Sequence, residues 1–447
     1  MKASKCSVLA VFAFHLLQLA AHVQASKGMN NAVPVYDCCI IGSGPAGLAA
    51  AYGLRKVLGD KAKIGIFERS ATFQRVGGQV GMLPITFHAL QALDPTLSET
   101  VKKEAIPRLL FRRYNSQGQL DDETKFTKEQ GSMCIPWFDL QQALVQSLRL
   151  PDKDEMIHLG HELTYLHEEN DLVCLEFSNG EKCKSRMVIG ADGNLSQVRS
   201  ILFDGETPEY AGACIWRMFV DCPSEEVIPH CLKRSGESNV WAGDGKVLVL
   251  QRMEQRIYLS GQAGWPEDQL HVLDRKRYIG SEDGEDSGGT TSQEERRQRF
   301  LQAFSEFDPE ILQFIRDYFE PTSLLEHPIY FRPVDRPWGE GRVSMVGDAA
   351  HMLPPNMGMG TPSAFQDAVQ LAHSVSQHGL TSEALRHYEQ SRQPRMNRIA
   401  EEVIRQCGLY YQEKDDDANP FKMNNQELHE YIINFSQDPV PKASENE

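Results

Sequence analysis

Three glycines and a carboxylate set the first chemical possibility. The stretch GSGPAG puts Gly42, Gly44 and Gly47 at G-x-G-x-x-G spacing around Pro45 and Ala46. Glu68, followed by Arg69, lies 21 positions beyond the last of them. Glycines so spaced let the backbone turn sharply and approach a pyrophosphate, which the N–H groups of a following helix then hold. A carboxylate at the end of the next strand accepts hydrogen bonds from ribose hydroxyls. A second stretch, GDAAHMLPPNMGMGTPSAF (347–365), puts Gly347 and Asp348 at the end of an apolar run. Pro354 and Pro355 stiffen the next turn, and Gly358 and Gly360 clear side chains from backbone that can approach a flat ligand. A helix beginning near Thr361 points its positive end at that ligand's electron-rich edge, and Pro362 suits its first turn. A third stretch, VIGADGNLSQVR, places Asp192 at a strand end with Arg199 seven residues on.

These segments need elements to position them. VYDCCIIGSGPAGLAAAYGLRKVLG reads as a buried strand, a Gly-rich turn and a helix, and KIGIFERS as a second strand ending at Glu68. PWFDLQQALVQSLRL has helical spacing. DLVCLEFSNGEKCKSRMVIGADG reads as a hairpin with an Asn-Gly turn running into an apolar strand. GRVSMVGDAAH returns to a buried strand, and the chain is then mainly helical. Between 206 and 328 the runs AGACIWRMFVDC, KVLVLQRM and RIYLSGQA predict an antiparallel sheet, with a solvated acidic loop at 281–295. The fold class expected is therefore α/β with two domains. A Rossmann-like dinucleotide domain is formed from 34–205 and 329–405. An antiparallel-sheet domain (206–328) is inserted between them, and a terminal helix and polar tail (406–447) follow.

The 447 residues carry a formal net charge of −16, which argues against a nucleic-acid partner. Residues 1–25 have the order of a secretory signal peptide: Lys2 and Lys5, an apolar run to about Ala21, then Val23 and Ala25 before Ser26. Its removal takes the net charge from −16 to −18. Membrane contact is expected only through this leader if it stays uncleaved, and the expected destination is the endoplasmic reticulum lumen or the exterior. The ten Cys show no metal-binding spacing, and no metal is expected. Cys38 and Cys39 read as core. A disulfide among Cys174, Cys183, Cys214, Cys222 and Cys231 suits an oxidising compartment, with the pairing left open. Of two glycosylation sequons, at Asn194 and Asn434, the second lies in the polar tail.

Taken together, GSGPAG, GADGNLSQVR and GDAAHMLPPNMGMG resemble, in order and approximate spacing, the three motifs of the group A FAD-dependent monooxygenases. The resemblance runs from about residue 35 to 400. RVGGQVGMLP, YAGACIWRMFV, DRPWGEGRVSMVGDAAH and ALRHYEQSRQPR add weaker matches. It implies that Gly42, Gly44, Gly47 and Glu68 hold the ADP half of FAD, with Pro45, Ala46 and Arg69 beside them. Asp348, after Gly347, would bind the ribityl or pyrophosphate region. Pro355, Gly358 and Gly360 would line the isoalloxazine, with the amide of Thr361 near its pyrimidine edge. Asp192 and Arg199 belong to the segment the family uses for FAD and NAD(P)H. NADPH or NADH would reduce the flavin, and oxygen would pass through a flavin hydroperoxide to hydroxylate or epoxidise a small, aromatic or secondary-metabolite-like substrate.

On the substrate side the candidates are Trp216, Arg217, Met218, Trp241 and Tyr258. Strand alternation keeps Trp216 and Arg217 from facing the same way. Arg217, which suits an acidic or phenolate substrate, and Pro355 are the expected catalytic positions, and His351 is expected to be structural. Three departures from the family pattern stand out: Trp137 where an Arg is usual, Met359 where a Gln is usual, and Pro362 where an Asn is usual. Competing readings on the same fold are a reductase of prenyl-type substrates and a flavin binder without turnover. The Trp-x-Trp-x-Ile-Pro signature of flavin halogenases is absent.

Overall fold

Asp37 splits the first apolar run. Val35–Tyr36 joins a small sheet, whereas β1 (Cys38–Ile41) enters the main one with all four residues buried, as a strand covered on both faces must be. The computed structural model describes residues 33–75, 77–127, 132–148, 156–273, 292–320, 324–413 and 426–443. The leader expected at 1–25 lies outside these residues, as does 281–291 of the acidic loop. The last residues of that loop were expected to be unstructured. Instead Ser292 caps the helix Gln293–Ala303 in a reciprocal capping box with Glu295.

From β1 the chain turns through the glycines into α1 (Pro45–Leu58) and returns in β2 (Ile64–Glu68), parallel to β1. The helix α2 (Trp137–Leu148) buries Leu140, Ala143, Leu144 and Leu148 at helical spacing. β3 (Val188–Gly190) follows the expected Asn179-Gly180 hairpin, with Gly180 at φ +86°, and pairs with the other side of β1.

The chain then builds a second sheet from β4 (Glu209–Asp221), β5 (Arg256–Gly264) and β6 (Leu325–Phe331). The seven strands run in the order β6, β4, β5, Lys246–Met253, Glu237–Gly243, Leu110–Asn115, Leu120–Lys125. The last two come from outside the 206–328 segment. The hairpin FRRYNSQGQLDDETK is polar and its outer strand is almost wholly exposed, so it lacks the apolar alternation by which a strand is recognised. Cys214, Trp216 and Met218 of β4 face a core shared with Phe300, Phe304 and Ile311 of the two helices behind.

β7 (Val343–Met345) completes the parallel sheet, whose order is Gly339–Glu340, β7, β3, β1, β2, Ile157–Leu159. Its Gly339–Glu340 edge is antiparallel. Two long helices close the molecule. α3 (Gly360–His378) packs on α1, where a Cβ at Gly53 would stand only 3.1 Å from both Ala368 O and Ala372 Cβ. The C-terminal end of α4 (Ser382–Tyr411) packs Cys407, Tyr410 and Tyr411 on Ala211, Ala213 and Ile215 of β4. One helix thus ties the second sheet to the first.

The nine described cysteines are all free thiols. Leu175, not Cys174, stands opposite Cys183 across the hairpin, so those two cannot pair. Cys183 instead meets Cys39 at 3.8 Å in the core. Among the described residues no helix is long and apolar enough to cross a membrane.

Candidate active site

The carboxyl ends of β1, β2, β3 and β7 open on one cavity of about 500 Å³, bounded on its far side by β4 and β6. A crevice at the strand ends is where α/β sheets bind ligands, and the volume falls within the roughly 300–1,000 Å³ usual for such sites.

At one end the Gly-rich turn is fixed by close contacts. Gly42 sits at φ +105°, and a Cβ there would lie 2.4 Å from Ala191 O. One at Gly47 would lie 2.1 Å from Gly42 O. Pro45 opens α1, and no side chain caps the helix start, so its first-turn N–H groups remain for a ligand. Glu68 braces the turn from β2. Its Oε2 accepts from Ser43 N (3.0 Å) and Ser43 Oγ (2.8 Å), and its Oε1 accepts from Ser70 N (3.0 Å). Glu68 and Arg69 both line the cavity.

The middle is formed by Asp192, Asp348 and Trp137. Asp192 accepts from Ser196 Oγ at 2.6 Å and from Val198 N at 3.0 Å. Burial pushes its carboxyl above the usual range, against the pull of these hydrogen bonds. Burial also raises Asp348, partly offset by the charges of His351, Arg332 and Arg217. Two amide oxygens on the wall, Gln79 Oε1 and Gln141 Oε1, are buried without a hydrogen-bond partner.

At the far end Pro355 begins a 3₁₀ turn that ends at Gly358, in the left-handed conformation at φ +62°. A Cβ at Gly358 would meet nothing within 4 Å. α3 starts there without a side-chain cap. Thr361 lines the cavity, whereas Met359 and Pro362 are buried in the protein. The last two departures from the family pattern are thus packing residues.

Arg217 lines the cavity from β4, and its Nη2 donates to His327 Nε2 on β6 at 2.6 Å. An arginine only donates, so that nitrogen of His327 is the acceptor and the ring proton sits on Nδ1. Burial, then the Arg217 charge, holds His327 well below its ordinary value, and it is neutral. Gly78 leaves room for Arg217 and Tyr258: a Cβ there would come within 2.8 Å of Tyr258 Oη and 2.9 Å of Arg217 Cδ.

Not every expected residue reaches the cavity. Arg199 was expected to bind cofactor. It is fully buried behind the site, donating from Nε to Ala349 O (2.7 Å), from Nη2 to Ala350 O (3.1 Å) and from Nη1 to Glu206 (3.0 Å). Its neighbour Arg332 holds Asn194 O and Asp348 O. Burial and Arg199 bring Arg332 down to about 10. Gly47 is likewise absent from the lining and works by letting α1 approach the turn. Gly42, Gly44, Pro45, Ala46, Glu68, Arg69, Asp192, Gly347, Asp348, Pro355, Gly358, Gly360, Thr361 and Arg217 are all on the wall.

Trp216, Trp241 and Met218 are core residues. Trp216 Nε1 donates to Glu326, and Trp241 Nε1 donates to Asp308. Asn194 lies on the cavity wall, while Asn434 is exposed. His351 is structural, with Nε2 2.5 Å from Asp367 Oδ2. Sequence reasoning missed His327. The alternation of LEHPIYF points to it, but Pro328 obscures the strand.

Comparison with known proteins agrees with this geometry. A family model described as an FAD binding domain matches residues 322–403. The aurachin C monooxygenase/isomerase of Stigmatella aurantiaca is 26% identical over 360 residues, spanning 80% of this chain and 85% of that protein. The 6-methylsalicylate 1-monooxygenase of Aspergillus terreus is 26% identical over 390 residues, spanning 80% of each. Among solved structures, Klebsiella pneumoniae HpxO complexed with FAD and uric acid superposes with a TM-score of 0.69 at 20% identity, covering 89% of this chain and 93% of that one. The fold and site are those of an FAD-binding oxidoreductase. The chain is similar in motifs, fold and relatives to the group A FAD-dependent monooxygenases.

Proposed function

We propose that this chain inserts one atom of molecular oxygen into a small planar substrate bearing an acidic or phenolic edge, with NADPH or NADH as a transient electron donor. The observation that carries this reading is the shared cavity. Its Gly-rich end suits a dinucleotide, its Gly358–Thr361 end suits a flat ring, and Arg217 reaches the same cavity from the opposite sheet. FAD supplies the oxygen chemistry when bound.

The chain's own residues would divide the rest. Gly42, Gly44, Pro45, Ala46, Glu68 and Arg69 would hold the adenosine end. Asp192 and Asp348 would take hydroxyl donors along the middle. Pro355, Gly358, Gly360 and Thr361 would seat the ring, and the N-terminal dipole of α3 would stabilise negative charge beside Thr361. Arg217 keeps its charge at any working pH. It would therefore favour the ionised form of a phenol placed against it, which makes the phenol's ring carbons more nucleophilic. Neutral His327 steadies the guanidinium and adds no charge. Ile215, Pro328, Ile329 and Leu353 exclude water beside it.

Purified protein loaded with FAD would test this by oxygen-dependent NADPH oxidation against paired acidic and neutral aromatic compounds. Acids and phenols should stimulate it, and Arg217→Met should raise their KM by about 10–100-fold, the loss expected for one charged hydrogen bond. Equal stimulation by neutral analogues would overturn the substrate class.

The N-terminal leader suggests entry to the secretory pathway, and an NADPH-bearing lumen suits turnover better than the exterior. Fractionation of cells expressing a tagged chain tests this, and recovery from the medium alone would contradict a lumenal site.

A further inference from the structure

The wall opposite the Gly-rich turn is aromatic where a cation would be expected to meet a pyrophosphate. Trp137 opens α2, and its backbone N–H donates to Gly78 O at 2.9 Å. Gly77, at φ +94°, leaves room for the side chain: a Cβ there would lie 3.0 Å from Trp137 Cβ and 3.2 Å from its Cγ. The far edge of the indole reaches the turn, with Cζ2 3.7 Å from where a Cβ of Gly44 would be. One helical turn on, Gln141 Nε2 donates to Ser43 O at 2.9 Å and clips α2 to the same turn. The indole is therefore held at a set distance from the backbone that would receive the phosphates.

The charges around it point the same way. Among the described residues the cavity wall carries four carboxylates, Glu68, Glu162, Asp192 and Asp348, and two guanidinium groups, Arg69 and Arg217. Arg217 is bonded to His327 on the far sheet, and Arg69 lies beyond the end of β2. Arg75 stands over the Phe138 ring at 5.4 Å, off the wall. The helix start of α1 is left to meet the phosphate charge by its N–H groups, and the surface facing it across Gly44 is a ring.

We infer that Trp137 is a positioning residue that grips FAD beside the Gly-rich turn by ring contact in place of an ion pair, so that cofactor affinity in this chain is nearly independent of salt. The inference rests on the FAD reading above.

Calorimetric titration of apo-protein with FAD at low and high sodium chloride tests it without any turnover. Ion pairs at an open cavity weaken as the screening length falls from about 10 Å at 0.1 M to about 3 Å at 1 M, and ring contacts do not. For the wild type the dissociation constant should change by less than about threefold over that range. Trp137→Ala should bind about tenfold more weakly at both salts, as loss of one stacked ring does elsewhere, and Trp137→Phe should restore most of the affinity. Trp137→Arg should bind more tightly than wild type at low salt and lose that gain at high salt. Unchanged melting temperatures of the apo-variants would separate contact from folding.

The inference is overturned if Trp137→Ala binds FAD as tightly as the wild type, or if wild-type affinity falls with salt as steeply as that of Trp137→Arg. If the wild type takes up no FAD at either salt, the FAD reading itself falls, and this inference with it.

Discussion

At the residue scale the site is costly to the fold. Asp348 opens on the cavity, and desolvation by the walls around it raises its carboxyl above the ordinary 3.8. A raised carboxyl means the folded state binds the proton more tightly than the unfolded chain does. Stability therefore falls as pH rises from 3.8 through the raised value, and the full cost is present at neutral pH. Asp348→Asn should raise the melting temperature of the apo-protein at pH 7 slightly, because solvent in the open cavity damps the cost of the charge. It should also weaken FAD binding. Calorimetric scans at pH 7 and near pH 4 check it, since the difference from wild type should shrink at the lower pH. Much of this was legible beforehand, because turns built on Gly and Pro are dictated by local backbone sterics. Asp348, Gly358 and Gly360 could be placed from GDAAHMLPPNMGMG alone. Arg199 could not: its partners are the carbonyls of Ala349 and Ala350, 150 positions away, and local spacing carries no trace of them.

At the element scale, the end of β7 is locked to α3 and α4 by one buried carboxylate. Asp367 of α3 accepts from Gly347 N at 3.0 Å and from Arg392 Nε of α4 at 2.9 Å, and meets His351 at 2.5 Å. Burial alone would raise its carboxyl, but the charges of His351 and Arg392 hold it below the usual range. Asp367→Asn leaves Arg392 buried without its counter-charge. It should cost about 3–5 kcal/mol, measured by urea unfolding of the apo-protein. The same lock fixes Gly347 and hence Asp348 beside Ala46, where a Cβ on Gly347 would lie 2.9 Å from Ala46 Cβ. Strand and helix types were readable from periodicity, and so was the opposition of Trp216 and Arg217. Which of the two faced the cavity was not. That choice is made by the helix at 293–303 and its C-cap, which cover the Trp216 face with Phe300 and Phe304.

At the scale of the whole molecule, a parallel sheet offers its strand ends to a ligand and a second sheet closes over them, with α4 bridging the two. The polar hairpin 110–125 that widens the second sheet was hidden because its strands bury so little. The cavity between the sheets is lined by Gly42 and Glu68, by Gly358 and Thr361, and by Arg217 from the second sheet. The most direct measurement is the visible spectrum of the purified chain supplied with FAD, followed during addition of NADPH first without oxygen and then in air. The account predicts a yellow protein whose flavin absorbance bleaches anaerobically and returns in air as oxygen is consumed. A chain that stays colourless after incubation with FAD, or binds FAD that NADPH cannot reduce in the presence of any phenolic or acidic aromatic compound, would contradict it.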